Sequence, residues 1–189
     1  MLLVFLRPPL GLFKRVCSCH VPPMNLFATP IPNPLSDGRQ SARAMLVRRG
    51  VQRLLHEMQA VMLPEVTLAT GRRADLLVMT AKGDFWIVEI KSSVEDFRAD
   101  RKWPDYRDWC DRFFFATHPD VPADIFPGEA GFILSDGYGA ELMREAPEHR
   151  LAPARRKALT ARFARIGAQR LLSAEWAGVA IDTGSDGPA

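Results

Sequence analysis

Apolar residues recur every three or four positions along the segment Ser41–Met62. Val47, Val51 and Leu55 fall on one stripe of a helical projection, and arginines lie off that stripe. This spacing is typical of a helix that covers a core with one face. Because proline cannot continue a helix, Pro64 is expected to end the segment.

Shorter runs farther along the chain alternate between apolar and polar residues or are apolar throughout, as strands are. The two central runs, Ala74–Thr80 and Phe85–Lys91, are apolar on both faces, so helices should cover both sides of a sheet. Those helices are predicted from Val94 to about Cys110, with a kink at Pro104, and at Pro153–Leu172. The remaining strands are predicted at Val66–Thr70, Arg112–Thr117, Ala130–Ser135 and Ala140–Arg144. The predicted fold class is α/β, a mixed sheet flanked by helices on both faces.

The loop between the two central strands decides which charged side chains share a face. Glu89 and Lys91 point to the same side because side chains alternate along a strand. A two-residue loop would set Asp75 opposite Ile90, on the wrong face. A three-residue loop that ends at Gly83, in the left-handed conformation that glycine favours, sets Asp75 opposite Glu89. We predict the three-residue loop.

Asp75, Glu89 and Lys91 would then form a group of ionised side chains at the ends of strands that are otherwise buried. Two adjacent carboxylates repel each other, and Mg²⁺ relieves the repulsion while taking water and a phosphate oxygen as further ligands. Mn²⁺ is an alternative, and the Ile90 carbonyl is a candidate third metal ligand. The lysine would hold the attacking water or balance charge on phosphorus, so the group suits phosphodiester hydrolysis. The same spacing also fits a structural Glu–Lys pair at the end of a hairpin.

Composition sets the broad class of protein. A chain of 189 residues, 47% apolar and 25% charged, is typical of one soluble globular domain. The net charge of +3 mildly favours anionic partners. No apolar run reaches the roughly 20 residues that a membrane helix needs, so no membrane partner is expected. The cysteines form no disulfide framework, which predicts a cytoplasmic location.

The chain is expected to comprise three parts. Residues 1–36 contain no acidic side chain and many prolines, which predicts a disordered or non-native N-terminal tail. Met24 and Met45 are alternative translation starts. The domain itself is predicted at 37–176, and a flexible C-terminal tail at 177–189.

The stretch Ala74–Ser93 and its surroundings resemble a known family. The segments that carry the likeness are GRRADLLVM, WIVEIKSSVEDFRADRKWPDYRDWCDRFFFAT and Leu142–Arg165, and it runs from about Ser41 to Leu172. They resemble the MmcB family of DNA-repair endonucleases in the PD-(D/E)XK nuclease superfamily, although Ala74 stands where the superfamily motif has proline. The resemblance implies a restriction-endonuclease-like core and a bacterial cytoplasmic protein that joins the nucleoid during repair. It also implies DNA as the partner, recognised by its structure or its damage; a homodimer is a further expectation, because two strands need two sites.

Carried over by motif, the resemblance makes Asp75 and Glu89 the metal carboxylates and Lys91 the catalytic lysine. Many members of the superfamily have a glutamate on the first core helix that supports the metal. Glu57 is the match chosen here, and Glu65, on or just before the first strand, is its competitor.

Basic residues are grouped on two of the predicted helices and beside Asp75. On the helix after Lys91, three basic side chains and a tyrosine recur at three and four residues and would share one face. An alternative is a solvated face of ion pairs, since acidic residues interleave with them. The last helix is nearly free of acids, as a helix that tracks a DNA backbone would be. The candidate nucleic-acid contacts are Arg72, Arg73, Arg98, Arg101, Lys102, Tyr106, Arg155 and Arg156.

Three functions fit these observations. The first is a Mg²⁺-dependent DNA endonuclease in repair, and the second is a catalytically silent nuclease fold that binds DNA. The third is an unrelated α/β interaction domain in which the hairpin charges are structural. The complete Asp, Glu and Lys set favours the first function over the second, since the decay of an active site usually removes one member.

Overall fold

Six strands form one mixed sheet in which each strand pairs with its neighbours in the chain. The computed structural model describes residues 40–100 and 102–179. The strands are β1 (Val61–Thr67), β2 (Arg73–Met79), β3 (Phe85–Lys91), β4 (Arg112–Thr117), β5 (Gly131–Ser135) and β6 (Ala140–Arg144). Strands β1 to β3 form an antiparallel meander, β3 to β5 run parallel, and β6 is antiparallel to β5.

Helices cover both faces of this sheet, as predicted. The α-helices are α1 (Ala42–Glu57), α2 (Val94–Ala99) and α3 (Pro153–Trp176), and short 3-10 helices form at Trp103–Trp109 and Ala123–Ile125. The α1 face is largely aliphatic and includes Val47, Val51, Leu55, Leu76, Val78, Val88, Phe114 and Ile133. The opposite face is aromatic and includes Phe85, Ile87, Tyr106, Phe113, Phe115, Phe126, Phe132, Leu159 and Phe163. This architecture confirms the predicted fold class and is consistent with a nuclease-like core.

The first helix is shorter than predicted. It begins after Ser41, whose hydroxyl oxygen accepts a hydrogen bond from the Ala44 N–H at 3.1 Å. It ends at Glu57, and the chain reverses through Gln59, which has a left-handed φ of 58°. The prediction that Pro64 ends this segment was wrong, because Pro64 lies inside β1 at the edge of the sheet. An edge strand tolerates proline since one side of its backbone has no strand partner.

The predicted continuous helix from Val94 to about Cys110 was also wrong. Helix α2 has six residues and ends at Ala99, and the backbone of Asp100 has left the helical conformation. The chain then forms the 3-10 helix Trp103–Trp109 with Pro104 in its first turn. The kink predicted at Pro104 is therefore a complete break upstream of it, between Ala99 and Trp103, and Pro104 stands in the first turn of the second helix, where its missing N–H needs no partner.

Helix α3 begins at Pro153 as predicted and continues four residues past the predicted end, to Trp176. Its buried residues, Leu159 and Phe163, lie in its first half. The predicted N-terminal tail at 1–36 lies outside the described residues, as does most of the predicted C-terminal tail. Within the described part of the chain, no helix combines the length and the apolar character needed to cross a membrane.

Candidate active site

The loop between β2 and β3 has the predicted register. Thr80 donates its N–H to the Asp84 carbonyl at 2.9 Å and accepts from the Gly83 N–H at 2.9 Å. Gly83 has a φ of 81°, which is the left-handed conformation predicted for the last loop residue. The strands then pair without interruption from Met79↔Phe85 to Leu76↔Val88. This register brings Asp75 opposite Glu89, on the aromatic face of the sheet.

Asp75 and Glu89 interact through the backbone at the end of this pairing. The Asp75 N–H donates to Glu89 Oε1 at 3.2 Å, and the Ile90 N–H donates to Asp75 Oδ2 at 2.9 Å. Each carboxylate thus accepts a hydrogen bond from the backbone of the other strand. One oxygen of each carboxylate is fixed by this exchange, while the second oxygen of Glu89, Oε2, faces Lys91.

Lys91 completes the group from the last position of β3. Its Nζ lies 3.8 Å from Glu89 Oε2 and 2.6 Å from Asp100 Oδ2. Glu89 and Lys91 are only 4% and 5% exposed, so this ion pair is nearly removed from water. The other oxygen of Asp100 accepts the N–H of Lys102 at 3.1 Å. The ammonium group is therefore held between two carboxylates, one of which sequence reasoning did not identify.

The protonation of this group follows from its burial. Burial raises the pKa of Glu89 well above its ordinary value, and the neighbouring Asp75 carboxylate raises it further, against the opposing effect of Lys91. Burial likewise raises the pKa of Asp75, although the hydrogen bond from Ile90 opposes the change. Burial alone would lower the pKa of Lys91, but Glu89 and Asp100 outweigh it and the pKa is raised. The lysine is therefore cationic, and the charged forms of the two carboxylates are costly, which favours a bound cation beside them.

A cleft of about 350 Å³ opens onto these residues. It is lined by Gln40, Ser41, Ala44, Arg73, Asp75, Glu89, Ile90, Lys91, Ser92 and Asp96. Gln40 Oε1 is buried here without a hydrogen-bond partner in the described chain. In residues 40–100 and 102–179, no three His, Cys, Asp or Glu side chains form a metal-binding group. The oxygen donors that fit a hard cation are the carboxylates of Asp75 and Glu89, an amide oxygen and backbone carbonyls, while Asp96, also in the lining, accepts two hydrogen bonds from Ser92.

The structure does not bring Glu57 to this cleft. Glu57 is exposed at the last residue of α1, whereas the cleft contacts the first turn of that helix, near Ala44. Thirteen residues of helix separate the two points, which is about 20 Å. Glu65 is much closer, since its carboxylate lies 3.5 Å from Arg48 and 3.6 Å from Arg73, which lines the cleft. The sequence did not indicate Gln40, because its proximity depends on the packing of α1 against the sheet.

The basic face predicted after Lys91 does not form, because α2 ends before it. Arg98 and Lys102 are exposed but lie on separate elements, and Arg101 falls outside the described residues. Tyr106 is buried and donates its hydroxyl to the Arg73 carbonyl at 2.9 Å. Tyr106 is therefore a core residue that supports the wall of the cleft, and it is not a surface contact.

The other predicted nucleic-acid contacts form ion pairs or hydrogen bonds with groups of the protein itself. Arg73 lies in the cleft wall near Glu65, as described above. Arg72 pairs with Asp105 at 2.5 Å. Arg155 donates to the Asp108 carbonyl at 2.9 Å and lies over the Trp109 ring. Arg156 donates to Asp111 and to the Gly83 carbonyl, which fixes α3 to the β2–β3 loop. Arg155 and Arg156 are accordingly structural contacts of α3.

Known proteins provide an independent comparison. A solved structure described as the SPO1766 protein of unknown function from Silicibacter pomeroyi is 39% identical in sequence, with a TM-score of 0.70. The likeness covers 77% of this chain and 99% of that one. No curated protein matches the chain. A family model described as DNA repair protein MmcB-like matches residues 31–178, a range that contains the whole sheet and the cleft. The predicted family is confirmed, and the chain belongs to the MmcB-like family of DNA repair proteins.

Proposed function

We propose that the protein is an endodeoxyribonuclease that uses a divalent metal to hydrolyse phosphodiester bonds in DNA repair. The observation that supports this most directly is the convergence of Asp75, Glu89 and Lys91 in one cleft. A buried and a half-buried carboxylate with raised pKa values, beside a buried lysine, are costly for stability, and active sites are where such groups are retained. A DNA repair family supplies the substrate class.

The metal would be Mg²⁺, with Mn²⁺ as an alternative, held by the carboxylates of Asp75 and Glu89 and the carbonyl of Ile90. Hard oxygen donors and a polar cleft fit such an ion, and the unpaired Gln40 Oε1 offers a further oxygen. When bound, the ion would lower the pKa of a water and neutralise charge on the phosphate.

Lys91 has a defined role in this proposal. Its Nζ has three protons, and the bonds to Asp100 and Glu89 leave it able to donate another to a phosphate oxygen or to the attacking water. Because the lysine is held in place by Asp100, the charge is already positioned when negative charge develops on the phosphate. Such preorganised donors contribute roughly 2.7–4 kcal/mol each to transition-state stabilisation.

The test is a cleavage assay over single-stranded, flapped, branched and crosslinked DNA, with Mg²⁺, with Mn²⁺ and with EDTA. Wild type should cut at least one structure only when metal is present. Asp75→Asn and Lys91→Ala should abolish cutting and leave DNA binding intact. Glu57→Gln is a matched control, because that carboxylate is exposed and about 20 Å from the cleft. Cutting that survives both cleft substitutions would assign the activity to another site.

The second candidate function is a catalytically silent module that binds DNA. It is favoured by the absence of a three-residue metal-binding group in the described chain and by the short Lys91–Asp100 ion pair. Isothermal titration calorimetry separates the two. A metal-dependent nuclease should bind Mg²⁺ or Mn²⁺ in a manner that Asp75→Asn removes, whereas a silent module should show salt-sensitive DNA binding without that metal binding.

A further inference from the structure

The basic side chains of the described chain divide into two classes. Most arginines donate to a carboxylate, a carbonyl or an aromatic ring within the protein. Those beside the cleft follow this pattern: Arg43 pairs with Asp120, and Arg72 pairs with Asp105. A smaller class is exposed and has no such partner in residues 40–100 and 102–179. Its members are Lys82, Arg98, Lys102, Arg150, Lys157, Arg162 and Arg165.

Three members of the second class line one groove. The groove has a volume of about 1370 Å³ and lies between the β2–β3 loop and the start of α3, with Lys82, Arg150 and Lys157 in its walls. Basic side chains outnumber acidic ones in its lining: Lys82, Arg150, Arg156 and Lys157 face Asp84 and Glu148. Asp84 lies 3.7 Å from Arg156, and Glu148 lies 3.7 Å from Arg112, although each of these arginines also pairs with a second carboxylate. The net charge of the lining is therefore positive.

Helix α3 continues this positive surface beyond the groove. Arg162 and Arg165 are exposed and three residues apart, so they project from neighbouring positions on the same side of the helix. The helix has only one acidic residue, Glu175, in its last turn. Residues 1–36 contain no aspartate or glutamate, so that segment has no carboxylate side chain to neutralise these arginines.

The positive surface lies on the same face of the sheet as the cleft. Helix α3 packs on the aromatic face, toward which Asp75 and Glu89 also point. It begins beside the β2–β3 loop, where Arg156 contacts the Gly83 carbonyl. Farther along, Arg170 donates to the Pro64 carbonyl at 2.6 Å, and Pro64 pairs with Leu76, next to Asp75. The helix thus leads from the groove toward the cleft.

We infer that Lys82, Arg150, Lys157, Arg162 and Arg165 form a track that binds the phosphate backbone of the DNA substrate at a distance from the cut. The choice of DNA rests on the proposed function. Asp75 and Lys82 are separated by four residues of β2 and three residues of the β2–β3 loop, so the distance between them is at most about 23 Å. With about 3.4 Å of rise per nucleotide along one strand, the far end of the track meets DNA up to about seven nucleotides from the scissile bond. These contacts are sequence-independent, since they reach phosphates and not base edges.

The test measures duplex binding by fluorescence anisotropy over a series of salt concentrations. The track variant is Arg162→Gln/Arg165→Gln. Its matched control is Arg49→Gln/Arg53→Gln, which removes the same charge from the part of α1 that contacts the β5–β6 loop, away from the cleft. The track variant should weaken binding on the order of tenfold and reduce the slope of log K against log salt by up to about 1.8. The control should keep the wild-type slope, and thermal melts should show that both variants are folded.

The length of the DNA provides a second measurement. Duplexes that extend fewer than about seven base pairs from the cut should bind wild type and Lys82→Gln/Arg150→Gln alike, because they do not reach the far end of the track that these two residues form, whereas longer duplexes should bind this variant more weakly. Equal losses in the track variant and its control would overturn the inference, as would unchanged binding by the track variant. Binding of wild type to phosphatidylserine vesicles but not to duplex would also overturn it.

The outcomes separate this inference from the proposed function. If wild type cuts DNA and the track variant binds like wild type, the inference fails and the nuclease proposal stands. If wild type never cuts but the track variant loses duplex binding, the track stands and the nuclease proposal fails.

Discussion

Strand β3 has a buried carboxylate group near each of its ends, and the two groups are built differently. Near its start, Asp111 accepts hydrogen bonds from the N–H groups of Phe85 and Leu151, at 2.7 and 2.9 Å, and from the guanidinium of Arg156. At its end, Asp75 and Glu89 face each other. The one lysine beside them, Lys91, lies between Glu89 and a third carboxylate, that of Asp100. The first group is satisfied within the protein, and the second is not.

Their pKa values reflect this difference. Burial alone would raise the pKa of Asp111, but the bonds from Arg156 and the two backbone N–H groups outweigh it, and the pKa is lowered. At the other end burial dominates, and the pKa values of Asp75 and Glu89 are raised. A buried carboxylate with its own cation and its hydrogen bonds satisfied stabilises the fold, whereas two carboxylates that share one lysine, which a third carboxylate also engages, indicate a ligand.

The largest expected effect on stability is at the satisfied end. Asp111→Ala leaves Arg156 and two N–H groups without their acceptor and separates α3 from β3. Breaking a buried charged pair in this way should lower the free energy of unfolding by about 3–5 kcal/mol, measured by urea denaturation. Asp105→Ala, which removes the exposed partner of Arg72, is the control and should cost less than about 1 kcal/mol. A similar loss in both variants would show that Asp111 stabilises the fold no more than an exposed ion pair does.

At the cleft, Glu89→Gln should have the opposite signature. If Glu89 is the metal ligand that we propose, cleavage should fall on the order of 100- to 1000-fold. The free energy of unfolding should stay the same or rise by about 1 kcal/mol, since the repulsion from Asp75 is removed while Lys91 retains Asp100. A strongly destabilised Glu89→Gln would show that this carboxylate is structural.

Divalent metal should stabilise the protein only when the carboxylates of the cleft are present. Mg²⁺ at about one hundred times its dissociation constant should raise the free energy of unfolding by about 2.7 kcal/mol. The Asp75→Asn/Glu89→Gln double variant should not respond, whereas Asp111→Ala should gain as much as wild type. Thermal melts with and without metal test this, and an equal gain in the double variant would place the metal elsewhere.

The two ends should respond to pH in opposite directions when metal is chelated. Glu89 has a pKa above its ordinary value of 4.5, so the folded state takes up a proton first and stability rises as pH falls toward 4.5. Asp111 has a pKa below its ordinary value of 3.8, so its stabilisation is present above that pH and is lost as pH falls further. Each proton changes stability by at most about 1.4 kcal/mol per pH unit. Urea denaturation from pH 3 to about pH 7 should show a maximum that Glu89→Gln flattens on its neutral side.

Local pattern was sufficient to predict the centre of the molecule. The bounds of β3 and β4 match the prediction, and Gly83 alone fixed the register that brings Asp75 to Glu89. Alternation and turn geometry depend on neighbours in the chain, so they can be read from the sequence.

The residues that complete the cleft depend on contacts between distant elements. Asp100 reaches Lys91 because α2 breaks, and a helix that continued past Ala99 would point it elsewhere. Gln40 reaches the cleft through the packing of α1. Glu57 was chosen because it lies on the correct helix, but helix length placed it at the wrong end. The positions of these three residues depend on helix ends and packing, which leave no periodic pattern in the sequence.

The edge strand β1 has a consequence for assembly. Pro64 has no N–H to offer an incoming strand, Glu65 has a left-handed φ of 51°, and Arg170 occupies both of their carbonyls. An edge with these features resists the addition of a further strand, which is the usual route to sheet-to-sheet association and aggregation. If two copies of the chain pair on DNA, continuous β-sheet pairing across this edge is disfavoured.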